Sequence, residues 1–413
     1  TLCGVTRLGW GRDTMRAFVE RQAAGALDGT LRIGAVSGSI VGGLTLSDVH
    51  FTHGGAEVFS ASSIDAQFSA WRWLRGVHEI TSIRIVDPVI RISEKNDEWS
   101  VSQWARTRAS TGGPSAPVQL PRISIVNGTL YVTAVERVWR LPAEWRRVNA
   151  DVSVTTGTET RVVLQSLAFT TVASDETPAF TASQGTGTLV FHEGVGLDQV
   201  RIVSDSGTIV ATGRVGAQSP RVLALTATLA RVDTARWRAF TSLLDTVTLR
   251  ADGTLKFTGP IDRLSIASAL KTTAGAADGT TTVENTRDRL RISGDLALSG
   301  VDAERVTADA AWRSALTGRV RFVADHAGAP AAWTARVTLD GGPFRAFGAD
   351  FEQLHGGLTY RDDVVSFSTD ALAYGASLHG AGTIAVRPAL VIDVHGDRAE
   401  AIDPRRLPRS WGF

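Results

Sequence analysis

The sequence is poor in reactive and cationic side chains other than arginine, with one cysteine (Cys3) and three lysines (Lys95, Lys256 and Lys271). A lone thiol cannot form an internal disulfide, and it excludes a zinc site built from several thiolates. The 43 Lys+Arg residues are matched by 42 Asp+Glu residues, which leaves a net charge of +1. This balance removes the electrostatic case for nucleic acid as a partner. No run of about 18 apolar residues occurs, so no segment predicts a membrane-spanning helix.

Sequence motifs for catalysis are also missing. There is no Gly-x-Ser-x-Gly elbow, phosphate loop or Gly-x-Gly-x-x-Gly turn. The acidic pairs Asp97–Glu98 and Asp362–Asp363 fall at predicted turns, where Asp stabilises the local backbone. His50 and His53 are three residues apart, which places them on opposite faces of a strand and argues against a metal site. The sequence therefore predicts a protein that is not an enzyme, with no cofactor and no metal.

Apolar and polar residues alternate with a period of two along most of the chain. Ala335, Val337 and Leu339 alternate with Arg336 and Thr338, for example. Such spacing places apolar side chains on one face of a strand and polar side chains on the other. The pattern predicts an all-β fold with an antiparallel sheet of roughly twenty strands.

Dipeptides that contain glycine and a loosely repeated tripeptide interrupt this alternation. The repeat Gly-Thr-Leu, interpreted as the restart of a hairpin, occurs at residues 29–31, 128–130, 187–189 and 253–255. Turns with positive φ are predicted at Asn127–Gly128, Asp252–Gly253, Asp278–Gly279, Asp340–Gly341 and Gly356–Gly357. The unequal spacing of the repeats favours a sheet that grows by hairpins over a propeller or a strict solenoid.

The N-terminal part differs from the remainder of the chain. Asp13 to Leu27 has apolar residues at helical spacing, so that a short N-terminal helix is expected, with Asp13 as its cap and Gly29 as its stop. A stretch rich in Gly, Pro and Ser at residues 107–121 predicts a linker. We therefore expect an N-terminal α+β portion at residues 1–106 and a repetitive β body at residues 122–413.

Three phrases of the N-terminal portion carry a family resemblance. Residues 29–51 read GTLRIGAVSGSIVGGLTLSDVHF, residues 83–92 read IRIVDPVIRI, and residues 121–130 read PRISIVNGTL. As an ordered set, these phrases resemble the opening of bacterial AsmA/TamB proteins. The likeness covers about the first 150 residues and continues as general AsmA-like repeats, without the C-terminal TamB module. The resemblance implies a fragment truncated at its C-terminus.

The resemblance also implies a shape and a function. The implied fold is an elongated antiparallel sheet curled into an open hydrophobic groove, which is called a β-taco. No helical layer is expected to cover the apolar face of this sheet. The expected function is that of a periplasmic bridge that carries phospholipid between the inner and outer membranes of Gram-negative bacteria. An anchor upstream of Thr1 would attach it to the inner membrane. The alternative, also implied by the family, is a TamB-type factor that works with an outer-membrane barrel protein in outer-membrane protein assembly or autotransporter secretion.

Acyl chains need only apolar contact, since burial of each CH₂ group is favourable by about 0.8 kcal/mol. The candidate groove residues are therefore apolar members of alternating strands: Leu130, Val132, Leu255, Phe257, Val320, Phe322, Val337, Leu339 and Ile392. Other classes of protein stay open at this point. An enzyme on a parallel β-helix and a surface adhesin of β repeats are the competing interpretations.

Overall fold

A computed structural model describes residues 16–17, 19–21, 24–25, 27–39, 43–68, 80–95, 98–104, 118–134, 141–174, 177–240, 247–286, 289–307, 313–327, 333–346, 349–385 and 391–399. The prediction of an all-β fold built on a long, hairpin-connected sheet is confirmed. The chain divides into a first unit, Thr1–Val210 with Arg236–Asp245, and a second unit, Ala211–Ala235 with Thr246–Phe413.

The strands of the first unit begin close to the N-terminus. They are β1 (Thr30–Ser39), β2 (Gly43–His53), β3 (Ala56–Phe68), β4 (Ile80–Val86), β5 (Val89–Lys95), β6 (Glu98–Trp99), β7 (Val118–Gln119), β8 (Arg122–Thr133), β9 (Glu144–Thr156), β10 (Thr160–Thr171), β11 (Thr181–Phe191) and β12 (Gly194–Ser204). A 3₁₀ helix covers Ser100–Gln103. Strand β13 (Gly207–Gly216) contains the boundary of the two units.

The strands of the second unit pair almost entirely with their neighbours in sequence. They are β14 (Val222–Asp233), β15 (Arg250–Pro260), β16 (Arg263–Thr272), β17 (Gly275–Thr286), β18 (Arg289–Val301), β19 (Ser314–His326), β20 (Trp333–Gly341), β21 (Phe344–Ala346), β22 (Ala349–Phe351), β23 (Gln353–Arg361), β24 (Val364–Ala373), β25 (Ala376–Ala385) and β26 (Val391–Ala399). From β14 to β20 and from β23 to β26, each strand lies antiparallel to the next. Strand β23 pairs with β20, and β21 and β22 form a small side hairpin. Short helices cover Thr234–Trp237 and Ala303–Thr307.

One crossover departs from the antiparallel pattern of the first unit. Strands β4 and β5 both pair antiparallel with β3, so residues 80–95 behave as one strand interrupted at Asp87 and Pro88. On the other side, both strands pair parallel with β8. A parallel pairing requires the chain to return along the length of the strand before it pairs. The sheet is therefore mixed here.

At the interruption, side-chain hydrogen bonds add to the backbone bonds that link Asp87 and Pro88 to β8. Asp87 has φ 49° and Asn127, on the neighbouring strand β8, has φ 55°. The carboxylate of Asp87 accepts hydrogen bonds from the Asn127 amide at 2.6 Å and from the Ser62 hydroxyl at 2.9 Å. These bonds, the Asn127 bond first, lower the pKa of Asp87. The backbone N–H of Asn127 donates to Asn149 Oδ1 at 3.0 Å, which extends the network to β9.

Most of the turns predicted from dipeptides that contain glycine are absent, so these predictions are wrong. Asn127–Gly128, Asp252–Gly253, Asp278–Gly279 and Gly356–Gly357 lie inside β8, β15, β17 and β23, whereas Asp340–Gly341 ends β20. Of the Gly-Thr-Leu repeats, residues 29–31 lie at the start of β1, but the other three lie within strands. The physical reason is that positive φ serves a bulge or a bend as well as a hairpin.

The N-terminal helix agrees with its prediction at the described residues. Residues 16–17, 19–21 and 24–25 are helical, and Arg21 Nε donates to the carbonyl of Ala17. The predicted cap Asp13 lies outside the described residues, as does most of the predicted linker. Among the described residues, no helix has the length and apolar character needed to cross a membrane.

Candidate functional site: an uncharged face of the second unit

The antiparallel registers of the second unit place apolar side chains in rows that cross neighbouring strands. Residues that pair directly across two strands share a face, as do residues two apart on one strand. The first row contains Leu225, Phe257, Ile266, Thr281, Gly294, Phe322, Val337, Leu358, Phe367 and Gly382. The second, two residues along each strand, contains Ala227, Leu255, Ser268, Gly279, Leu296, Val320, Leu339, Gly356, Thr369 and Gly380. The third, on the other side of the first, contains Leu264, Val283, Ile292, Ala324, Ala335, Tyr360, Val365, Ile384 and Ile392.

These three rows form what we call the apolar face, and none of their members is charged. The charged residues of the same strands occupy the alternate positions. Asp295 on β18 illustrates this polar face, because it accepts hydrogen bonds from Arg319 Nε at 2.5 Å and Nη2 at 2.8 Å and lies 3.3 Å from Arg321 Nε. The bond from Arg319 is the main cause that lowers the pKa of Asp295. The two faces of the sheet are therefore segregated by charge.

The large side chains of the apolar face are only partly covered. Phe257, Phe322, Val337 and Leu339 are all half-buried, whereas neighbouring polar residues such as Lys256, Arg321 and Thr338 are exposed. Within the described part of the second unit, the buried hydrophobic residues are Val232, Ala251, Leu264, Ala274, Ala373 and Ala376, of which only Leu264 belongs to the three rows. A filled interior would bury these Phe and Leu side chains almost completely. The apolar face thus retains area that a ligand can cover.

Some strand positions of this unit require glycine. Gly253 on β15 has φ +137° and Gly318 on β19 has φ +150°, a region that side chains with a Cβ rarely adopt. A Cβ at Gly253 would also lie 2.0 Å from the carbonyl oxygen of Ala269 on the next strand. The sequence therefore needs glycine at Gly253 for the positive φ and for the close approach of the two backbones.

A further glycine accommodates an aromatic ring of the apolar face. A Cβ at Gly294 would lie 2.5 Å from Cε1 and 2.6 Å from Cζ of Phe322, its cross-strand partner. The Phe322 ring consequently lies over Gly294, an arrangement that protects an otherwise bare stretch of backbone.

Seven of the nine candidate groove residues from the sequence lie on the apolar face of the second unit, and two lie in the first unit. Leu255, Val320 and Leu339 share the second row, while Phe257, Phe322 and Val337 share the first. Ile392 pairs with Ile384 at the end of the third row. Leu130 and Val132 lie instead on β8 of the first unit, where Val132 is 7% exposed and belongs to a packed core.

The sheet of the first unit is covered in one place by a short segment of the chain, where the sequence predicts no covering helical layer. Phe169, Phe180, Ala182 and Ala239 form a buried cluster. Trp145, Val148, Leu167, Ile202, Trp237 and Phe240 pack against this cluster. Residues 237–240 belong to the connection between β14 and β15, so the sheet here is covered by a distant part of the chain. In the sequence, the only sign of this covering segment is that Trp237 and Phe240 are three residues apart in a short stretch with helical character. Nothing in the local sequence shows which part of the sheet such a segment contacts.

A polar cleft of about 820 Å³ lies at the end of the second unit. Asp340, His355, Asp370 and His379 pair successively across β20, β23, β24 and β25 and contribute to its lining. His379 Nδ1 lies 2.6 Å from Asp370 Oδ1, and His355 Nδ1 lies 3.6 Å from Asp340 Oδ1. The described residues contain no group of three or more metal-ligating side chains suited to an ion.

The histidines and acidic pairs singled out from the sequence have local partners. His50 contacts Asp48 at 2.9 Å and Glu57 at 2.8 Å, and these bonds, the Asp48 bond first, raise the pKa of His50. His53 Nδ1 bonds the carbonyl of Asp28. Asp362 and Asp363 form the turn between β23 and β24, both with positive φ. Asp97 and the side chain of Glu98 lie outside the described part.

Comparison of the chain with known protein families, with characterised proteins and with solved structures finds no match. The function must therefore be argued from the geometry of the apolar face.

Proposed function

We propose that the second unit binds the acyl chains of phospholipids along its apolar face and that the chain serves in lipid transport. The observation that carries this proposal is the partial exposure of Phe257, Phe322, Val337 and Leu339 on a face without charge. An uncharged face whose large apolar side chains keep part of their surface exposed is a candidate binding surface. Acyl chains match it because their affinity comes from apolar area and needs no directional contact.

The shape of the ligand also agrees with the registers. The rows cross the strands at about 4.8 Å per strand, so the ten strands of the first row extend over about 45 Å of sheet. A small rigid ligand would use a short part of such a surface and would need polar groups to orient it. Several acyl chains together can cover all of it, while their polar head groups stay at the margin of the sheet in water.

The placement of the protein in the cell rests on the family resemblance. If the chain is an AsmA/TamB protein, its partners are phospholipids of two membranes, it lies in the periplasm, and an anchor in the inner membrane precedes Thr1. Assistance in outer-membrane protein assembly is the competing function of such a chain.

The test is site-specific photocrosslinking with benzoylphenylalanine at Phe257 and, as a matched control, at Lys256. The two positions are adjacent on β15 but lie on opposite faces of the sheet, and Phe257 is half-buried whereas Lys256 is exposed. After incubation with vesicles of phosphatidylethanolamine and phosphatidylglycerol, we expect phospholipid adducts at Phe257 and none at Lys256. Equal labelling at both positions would refute the proposal, and peptide adducts at Phe257 in cells would favour protein assembly.

A further inference from the structure

One further row of side chains lies beyond the third row of the apolar face, at the margin of the sheet. Leu290 pairs with His326, and His326 pairs with Trp333. The imidazole ring of His326 is stacked on the indole ring of Trp333, with ring centroids 5.0 Å apart and an angle of 15° between the planes. Trp333 keeps 39% of its surface exposed. The apolar face therefore ends, on β19 and β20, in two stacked rings that each carry an apolar body and a polar nitrogen.

The surroundings of His326 determine which of its nitrogens carries the proton. Nδ1 is buried and has no partner among the described residues. A proton on Nδ1 would leave a buried N–H without an acceptor, and such groups are rare in folded proteins. In the neutral ring the proton therefore lies on Nε2, which is not enclosed in this way. His326 thus presents a donor on its open side, next to the indole ring of Trp333, whose N–H can only donate.

The charges near these rings favour a neutral acceptor over an anion. Arg289 already binds the carboxylate of Asp325, with distances of 2.9 Å from Nε and 2.6 Å from Nη2 to Oδ1. Asp363 follows the end of the neighbouring strand β23 and accepts a hydrogen bond from the Tyr360 hydroxyl at 2.8 Å. An anion at this margin would gain little from Arg289, and the carboxylate of Asp363 would repel it. Two neutral donors instead match a neutral oxygen.

The strands that carry the two rings provide an apolar surface of the length of one acyl chain. After His326 and Trp333, the pairs that follow on the apolar face of β19 and β20 are Ala324–Ala335, Phe322–Val337 and Val320–Leu339. The alanine pair has the smallest side chains of the four, so the surface is lowest directly beside the rings. At about 3.4 Å per residue, the distance from Trp333 to Leu339 is about 20 Å. One layer of acyl chains in a bilayer is about 15 Å thick, which fits within this length.

We propose that His326 and Trp333 bind the ester carbonyl oxygens of a phospholipid over Ala324 and Ala335, while its acyl chains lie along β19 and β20 toward Leu339. This inference rests on the proposed function, because it concerns a lipid whose chains cover the apolar face. It adds the chemical group that the protein recognises. An ester carbonyl is a neutral acceptor at the boundary between acyl chain and head group, where the two donors lie. The site therefore selects acyl esters, and its affinity depends little on the head group.

Lipids that differ only in this linkage test the proposal. Benzoylphenylalanine at Val337, four residues from Trp333 on β20, is crosslinked to a tagged diester phosphatidylethanolamine in vesicles. The untagged competitor is the same diester or its diether analogue, which has no carbonyl oxygen. We expect the diester to compete about fivefold better, which is the effect of about one neutral hydrogen bond. Replacement of phosphatidylethanolamine by phosphatidylglycerol should change the competition by less than about twofold.

The outcomes separate this inference from the proposed function. Equal competition by diester and diether lipids, while Val337 and Phe257 are both labelled, would overturn the inference alone. A preference that follows the head group instead of the linkage would also overturn it. If neither position is labelled by either lipid, the proposed function fails, and the inference fails with it.

Two variants assign the preference to the stacked rings. His326→Phe keeps a stacked ring, removes the donor and also removes the buried Nδ1 without a partner, so its resistance to urea should not fall. Its preference for the diester should drop to about twofold or less, and Trp333→Phe should lower the preference in the same way. Thr334→Val is the matched control, since Thr334 is exposed on the opposite face and should keep the full preference. A fivefold preference that persists in both ring variants would overturn the assignment to His326 and Trp333.

Discussion

Replacement of Leu339 by aspartate tests whether the apolar face is open or filled. Full burial of a leucine side chain is worth about 1.5–3 kcal/mol, and Leu339 is only partly exposed, so its loss removes about 1–2 kcal/mol. The poorer strand propensity of Asp adds up to about 1 kcal/mol. On an open face the new carboxylate stays hydrated and adds little more, which gives a total of about 1–3 kcal/mol. In a filled interior, the unpaired charge would bring the loss to at least about 4 kcal/mol.

Urea unfolding followed by circular dichroism measures this difference, with a separate transition fitted for each unit if two are seen. With a urea dependence of about 2 kcal/mol per molar, Leu339→Asp should lower the midpoint by about 0.5–1.5 M. Thr338→Asp is the matched control, since Thr338 is exposed on the polar face opposite Arg321 and should be nearly neutral. A loss of more than about 4 kcal/mol for Leu339→Asp would show that the apolar face is an ordinary core, and the lipid proposal would lose its foundation.

Gly253→Ala should lower the free energy of unfolding by about 1–3 kcal/mol in the same assay, because Gly253 has positive φ. Gly380→Ala should have almost no effect, because the nearest atom to its added Cβ lies at 3.9 Å. Equal effects of the two substitutions would show that the positive φ of Gly253 carries no cost. Asp295 has a lowered pKa, so its bond to Arg319 stabilises the fold above the unfolded pKa of about 3.8 and is lost as the pH falls through the lower folded value. Asp295→Asn should therefore lie below the wild-type stability at pH 7, with a gap that closes on acidification and that salt reduces. The raised pKa of His50 acts in the opposite direction, so the stability that it contributes is complete below the unfolded pKa of about 6.5 and is lost as the pH rises through the folded pKa. His50→Gln should remove this change in the free energy of unfolding with pH. If the pH dependence of the variant is the same as that of the wild-type protein, groups other than His50 cause it.

The sequence predicted the strands of the second unit well because the period of two is local and repeats without interruption. The alternation around Phe257 and around Leu339 is sufficient to assign each residue to a face. Registers then bring such residues into rows, because hairpins pair neighbours in sequence. These steps use only local physics, and for that reason the all-β fold could be read in advance.

Positive φ was located correctly at Asn127, Gly253 and Gly279 but assigned to the wrong structure, and at Gly341 and at Gly356–Gly357 it does not occur. Asn127 adopts a backbone conformation that most residues avoid, yet a bulge and a hairpin need the same conformation. Local sequence therefore shows where the chain departs from an ideal strand, and not whether it reverses. The docking of Trp237 and Phe240 was beyond local reasoning for a related cause, since their partners on β10 and β11 are more than fifty residues away in the chain.

The antiparallel registers of β16 to β19 have a consequence for how such a protein can change in length. Strands β16 and β18 run in the same direction, so that removal of β17 and β18 together would leave β16 able to pair with β19 in the correct sense. Ser268 would then meet Val320, and no residue would switch sides. Each pair of neighbouring strands thus adds about 10 Å to the sheet, and such a pair can be gained or lost without a change in the residues of the neighbouring strands.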